Sequence, residues 1–429
     1  MSLRKLGSLS FLLLGTLSMF LLSACNLSVP AGGASQSLLT SVGNQPQNAS
    51  PDVSTSTTCP APGTGRAAVL PPLTLGSHQN IVYTSNTFNN NGQPLTGALK
   101  RYDVVTKATT NIKTMSQKSI FGVQISANGQ WILFTTEQIV HGSPLLKLQL
   151  VRMDGRHLQT LYCGPSLFGA QWSTDQKLIV FSTNANGTQN VNVLDATTGA
   201  VQADLSVPDT SGVIVRTWLD TKRIYITNTQ IDQPPNIIYL LDTSKGANQQ
   251  LSNLPVVFNG NFSDFDSSYN GTQLFISSCA CGQGGNTGPS SITVQPALGG
   301  QSQTLYSTPT YAVTSVRAVT PTVLLFVIFN YVIVGHTDTT HNGLWKMNTD
   351  GSGLTRLTTD PAGQASGLNS ASQFPWSNVS RDNSMYGLQT TGNQTQALLA
   401  GPLSGGTPTT FASFNGSGTS LSIVGWTTM

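Results

Sequence analysis

One unit recurs along most of this chain, and it limits the fold more than any single residue does. It runs as an apolar strand, a polar turn, a second strand, a variable loop, a third strand, a tight turn and a fourth strand. The first turn and second strand appear as SANGQWILFTT (Ser126–Thr136), STDQKLIVFST (Ser173–Thr183), LDTKRIYITNT (Leu219–Thr229), SSYNGTQLFISS (Ser267–Ser278) and SRDNSMYGLQTT (Ser380–Thr391). The third strand and its turn appear as LQLVRMDGRHLQTLY (Leu148–Tyr162), VNVLDATTGAVQADL (Val191–Leu205) and LWKMNTDGSGLTRLT (Leu344–Thr358). Asp-Gly and Asp-x-x-x-Gly between strands signal hairpins, because these residues tolerate positive φ. No helical periodicity persists beyond a turn or two. Four-stranded units of about 40–50 residues are propeller blades, so the reading is all-β.

First strands fall near residues 121, 168, 213, 262, 313 and 374, with a last one near 420. The spacing stretches once, where residues 359–373 read as an inserted loop. The segment NIVYTSN (80–86) begins like a second strand, so the first blade lacks its innermost one. The orphan strand LSIVGW (Leu421–Trp426) supplies it, closing the ring and covering an edge that would otherwise aggregate. Six complete units and one composite make seven blades; six or eight are the other divisions, because the long unit from Val313 to Thr358 is hard to split.

The pattern resembles the WD40-like (PD40) repeats of TolB-type β-propellers over residues 78–429. That resemblance implies the fold and leaves the function open, since such blades serve binding proteins, scaffolds and enzyme appendages alike. The N-terminal α/β domain of the TolB family has no counterpart in the low-complexity residues 26–77, so that family's partner and role are not carried over.

The N-terminus reads as an address. Arg4 and Lys5 precede an apolar stretch from Phe11 to Leu22, which as a helix is too short for a hydrocarbon core of about 30 Å. The ending Leu22-Ser23-Ala24-Cys25 resembles the lipobox of bacterial lipoprotein signal peptides. The resemblance implies cleavage of residues 1–24 and acylation of Cys25, hence a protein anchored at the extracytoplasmic face of a bacterial cell membrane. Residues 25–77 then form a lipidated cysteine and a tether, with no aromatic residue and two charges, Asp52 and Arg66, too polar to offset the entropy of ordering. A second apolar run, TVLLFVIFNYVIV (Thr322–Val334), contains Asn330 and is rich in β-branched residues, which marks a buried strand.

Charge narrows the partners. Lys and Arg number 20 and Asp and Glu 17, so no basic excess exists to neutralise the phosphates of a nucleic acid. Carboxylates are few: one Glu and sixteen Asp. Asp103, Asp154, Asp195, Asp242 and Asp350 occupy third-to-fourth strand turns, and Asp175, Asp220 and Asp382 first-to-second strand turns, where Asp bonds its own backbone. Asp264 and Asp266, in FSDFDSS, sit on a strand with spacing that puts both on one face. They are the best available pair for a hydrolytic site at the channel, against the plainer reading of a polar strand lining it. In GHTDTTHNG, a loop could fold His336, Asp338 and His341 onto one metal, though no regular ligand spacing supports it. No nucleophile elbow or phosphate-binding glycine motif occurs, so no catalytic constellation and no cofactor are expected. Trp172, Trp218, Trp376 and Trp426 end the first strand of four units and read as packing between blades.

Beyond Cys25, four cysteines remain: Cys59, Cys163, Cys279 and Cys281. Cys163 ends the second blade and the last two a strand of the fifth, too far apart for one bridge. That leaves Cys59 with Cys163, pinning the tether, and Cys279 with Cys281 as a small loop; free thiols or a soft-metal site are the alternatives. Three loops are unusual: Cys281–Pro289, Gly335–Gly343 and Pro361–Gln373. The first two join second to third strands and the third joins blades, which places them on different edges of the repeat. The leading expectation is a monomeric, non-enzymatic propeller that binds a protein or an envelope polymer. The alternative is a carbohydrate-active or other hydrolytic enzyme using Asp residues at the channel mouth.

Overall fold

The computed structural model describes residues 58–74, 76–228, 236–279, 288–330, 338–360, 364–369 and 374–429. Among them, 28 strands form seven four-stranded antiparallel sheets, the blades of a β-propeller. In blade 1 the C-terminal strand Thr419–Thr427 lies innermost and pairs with Asn80–Phe88, setting Trp426 opposite Ile81 and Ile423 opposite Tyr83. The first and last strands of the chain thus share one sheet. The other innermost strands are Ser119–Ile125, Phe168–Trp172, Val213–Trp218, Asp264–Ser267, Val313–Thr320 and Gln364–Gly367.

The core is not a single mass. Seven apolar clusters occur, one at each seam between neighbouring blades. Alternate residues of one strand enter different seams: Ile81 and Tyr83 pack against blade 7, Val82 against blade 2. Both faces of each sheet are therefore buried, which is why the strands read as apolar runs. The run expected as a buried strand contains Val323–Ile328, buried along nearly its whole length. No helix of the described residues is long and apolar enough to cross a membrane.

Because the four strands of a blade alternate in direction, the two short turns of each blade emerge on one side of the ring, here the turn face. Second-to-third connections and the links between blades emerge together on the other, the loop face. A second-to-third connection and a blade-to-blade link therefore do not lie on different edges, contrary to the expectation from the sequence: both kinds share the loop face. The turn face owes its regularity to side chains that accept from their own backbone. Asp103 Oδ1 accepts from the N–H of Val105 at 2.8 Å, Asp350 Oδ1 from Ser352 at 2.9 Å, and Asp220 Oδ1 from Lys222 at 2.9 Å. Where the first turn opens with Ser, the hydroxyl joins in: Ser173 Oγ donates to Asp175 and accepts from the N–H of Leu178.

Two expectations need correction. The first strand of blade 7 is Gln364–Gly367, inside the segment read as an inserted loop. Trp376 therefore ends no strand; it lies in the 3-10 turn Pro375–Ser377, stacked on Phe374 and beneath Arg381. Its resemblance to the other three tryptophans is one of neighbouring sequence alone. The second correction concerns the tether, whose last part is folded onto the ring. Ala67 donates its N–H to Ala196 O of blade 3 at 2.7 Å, and Ala68 to Gln159 of blade 2. Leu73 exchanges backbone bonds with the Gln130 amide and packs into the seam of blades 1 and 2. Backbone bonding compensates for the missing aromatic residues, and Gly65 allows the approach, since a Cβ there would strike the Leu161 carbonyl. Residues 58–74 form a strap over blades 3, 2 and 1.

Candidate functional site

The innermost strand of each blade has a partner on one side only, so its inward edge carries unpaired N–H and C=O groups. Side chains from adjacent blades cap them. Gln124 Oε1 accepts from Trp172 N at 2.7 Å, and Gln171 Nε2 donates to Arg216 O at 2.5 Å. Asp264 Oδ2 accepts from Val316 N at 3.3 Å and Asp266 Oδ2 from Ala318 N at 2.7 Å. Arg317 Nε donates to Asn369 O, and Asn369 Nδ2 to Val424 O at 2.6 Å. The result is a polar belt that runs from blade to blade around the ring interior. Gln124, Gln171 and Asp266 each stand two residues before the serine opening the first turn, at Ser126, Ser173 and Ser268. In blades 2 and 3 a bulge re-aims the glutamine, with Gly122 at φ +56° and Gly169 at φ +66° inside the motif Phe-Gly-x-Gln.

Asp264 and Asp266 do share one side of their strand, as their spacing requires, and that side is the seam with blade 6. Both are wholly buried, with Arg216 of blade 4 and Arg317 of blade 6 beside them. Arg317 Nη1 bonds Asp264 Oδ2, while Arg216 Nη2 stands 3.9 Å from Asp264 Oδ1 and its guanidinium lies 5.1 Å above the Phe265 ring. Burial pulls Arg216 down to about 9, opposed by the neighbouring Asp264. Burial also raises Asp264, and raises Asp266 well above the ordinary carboxylate range, although Arg317 pulls both down. Such a cluster can hold strands together. It is poorly placed to attack a substrate, since the pair is almost entirely shielded from solvent.

The two arginines were not among the residues singled out from the sequence. A charged residue within the apolar first strands VIVRTW and VTSVRAV was the available signal. Asp204 and Asp360, also buried, were likewise missed. Asp204 accepts from Gln202 Nε2 at 2.5 Å and burial pushes it up to about 6. Asp360 accepts from the N–H of Ser366 and so pins the innermost strand of blade 7.

The proposed metal ligands do not assemble among the described residues. Asp338 accepts from Tyr311 Oη at 2.9 Å and from Thr340, while His341 stacks on Tyr311 with ring centroids 4.1 Å apart. No group of three or more ligating side chains occurs among the described residues, and His336 lies outside them. Cys59 and Cys163 form a disulfide with Cα atoms 5.7 Å apart, which fastens the start of the strap to the outermost strand of blade 2. Cys279 is also disulfide-bonded. Cys25 and Cys281 lie outside the described residues.

Charge divides the faces. Connections of the turn face carry Lys107, Asp154, Arg156, Asp175, Lys177, Asp220, Lys222, Lys245, Asp350, Arg381 and Asp382. The described connections of the loop face carry Lys118, Asp209, Asp338 and the buried Asp360.

No protein-family model and no curated protein matches the chain. Among solved structures it is similar to the β-propeller domain of the Trilobed protease from Pyrococcus furiosus, with a TM-score of 0.52 and 8% identity over 80% of this chain and 98% of that one. That domain is described as having an open velcro topology, whereas here the C-terminal strand closes blade 1. An acylaminoacyl peptidase from Pyrococcus horikoshii gives a TM-score of 0.52 at 10% identity, over 78% of this chain and half of that one. TolB from Acinetobacter baumannii gives 0.40 at 16% identity, and the chain spans 62% of that protein's length. At these identities the likeness concerns architecture: the chain is a seven-bladed β-propeller closed by its C-terminal strand.

Proposed function

We propose that this chain is a non-catalytic binding module, a propeller carried by lipid on Cys25 at the extracytoplasmic face of a bacterial cell membrane. The observation that supports it is the fate of the channel carboxylates. Asp264 and Asp266, the pair that would have served hydrolysis, are engaged by Arg317 and by the backbone of blade 6 and are almost entirely shielded from solvent. What the ring offers a partner is its surface, a rigid frame on which loops vary without cost to the fold. The partner is a protein or an envelope polymer, and the strap sets where the tether leaves the ring, at the rim of blade 2.

The test has two arms. The Cys25→Ser variant should leave the membrane fraction or remain uncleaved; wild-type fractionation and processing would end the lipoprotein reading. Crosslinking of the anchored protein in membranes should recover a specific partner. A hydrolysable envelope substrate turned over by wild type but not by Asp266→Asn would replace the binding module with the enzyme.

A further inference from the structure

On the loop face of blade 5, three serines stand side by side. Ser278, Ser291 and Ser307 occupy adjacent strands in direct register, Ser278 opposite Ser291 and Ser291 opposite Ser307. Residues so paired project to one face of the sheet, and successive strands are about 4.8 Å apart, so the hydroxyls form an evenly spaced row. None of the three side chains is fully buried. They line an open cleft of about 500 Å³, together with Asn261 and Thr308.

We propose that this cleft binds a neutral, polyhydroxylated polymer, a glycan without ionised groups. The inference rests on the binding-module reading and names the ligand class for it. Three features favour that chemistry. Beside Pro289, Pro309 and the disulfide-bonded Cys279, the lining offers hydroxyls and an amide, groups that both donate and accept as sugar hydroxyls do, and no charged side chain. Lys118 is the one Lys or Arg in the described connections of the loop face, so an anionic polymer would find little permanent positive charge to neutralise it. The cleft is open, where a small-molecule site would enclose most of its ligand, and a row at strand spacing suits repeating units better than one compact molecule. Proteins anchor instead on aromatic and Arg hot spots, which the row does not supply.

The test uses the full mature chain and calorimetric titration with cellohexaose, maltohexaose and chitohexaose as neutral probes and polygalacturonate as the anionic one. At least one neutral hexasaccharide should bind with Kd below about 1 mM, and Ser278→Ala/Ser291→Ala/Ser307→Ala should weaken it at least tenfold with an unchanged melting temperature. Ser307→Arg, on the exposed outermost strand, keeps the test readable if the triple variant folds poorly, and should weaken binding at least threefold. Wild-type affinity in a folded variant, or tighter binding of polygalacturonate than of any neutral probe, overturns the proposal. So does failure of all three neutral probes. In that event a partner recovered by crosslinking leaves the binding-module reading standing, and no partner removes it as well.

Discussion

The two halves of the ring solve one problem with different chemistry. Blades 2 and 3 send the amides of Gln124 and Gln171 to cap the inward edges of the innermost strands of blades 3 and 4, and the strap and the Cys59–Cys163 bridge add outer fastening. In blades 5 and 6 the corresponding work falls to Asp264, Asp266 and Arg317, which cap blades 6 and 7, with Arg216 of blade 4 buried beside Asp264. Amides carry no net charge, so each bond there is an independent, modest contribution. Buried ions depend on one another, and removing one leaves the rest uncompensated. The neutral half should therefore tolerate single substitutions and acid, while the ionic half should fail sharply when one member is lost.

The largest effect should come from a change that removes the frame both halves share. Truncation after Gly418 deletes the strand Thr419–Thr427, exposes the edge of Asn80–Phe88 and strips Leu421, Ile423 and Trp426 from the seam of blades 7 and 1. Against a total stability of about 5–15 kcal/mol, the truncated chain should aggregate. An unchanged melting curve would mean that the ring does not need this closure.

Within the closed ring, Asp264→Ala should be the most damaging single substitution, at about 3–5 kcal/mol, because the buried Arg216 would lose the carboxylate beside it and Arg317 the one it bonds. Chemical denaturation reads this directly. A cost no greater than that of Gln124→Ala would erase the distinction between the halves. Next comes the outer fastening: Cys59→Ser/Cys163→Ser should cost about 2–4 kcal/mol, since the bridge closes a loop of 104 residues. Limited proteolysis should then cut within residues 58–74 before it cuts any blade.

Asp204 is the exception in the neutral half, a buried carboxyl of blade 3 raised to about 6 mainly by burial. Its folded value lies above its unfolded one, so its contribution is complete below about pH 4 and is lost as pH rises through about 6. Asp204→Asn should flatten that window and raise the melting temperature at pH 7 by about 2–4 °C. A pH profile identical to wild type would show that Asp204 does not titrate there. The smallest effect belongs to Gln124→Ala, about 1 kcal/mol for the capped N–H of Trp172.

Much of this was legible beforehand because it is local and repeated. The Asp residues of the turns accept from backbone two residues on, a bond fixed by sequence spacing alone, and five or more copies of one unit expose the blade. The missing inner strand of blade 1 and the spare strand at Leu421–Trp426 were legible together. The innermost strand of blade 7 was not: Gln364–Gly367 is short and small-residued, and Trp376 imitated a strand end without being one. The strap was hidden for the same reason, since its attachment is made by backbone groups and glycines that composition reads as flexible.

The sequence by itself determined the unit, its repetition and the need for its two ends to meet, because hairpin turns and apolar periodicity act over a few residues. Only the tertiary structure decided what the polar residues inside the ring are for. Asp264 and Arg317 are 53 residues apart, and Arg216 and Asp264 are 48 apart. They meet because ring closure sets the innermost strands of adjacent blades side by side, where an ion without solvent must find its partner in the next blade.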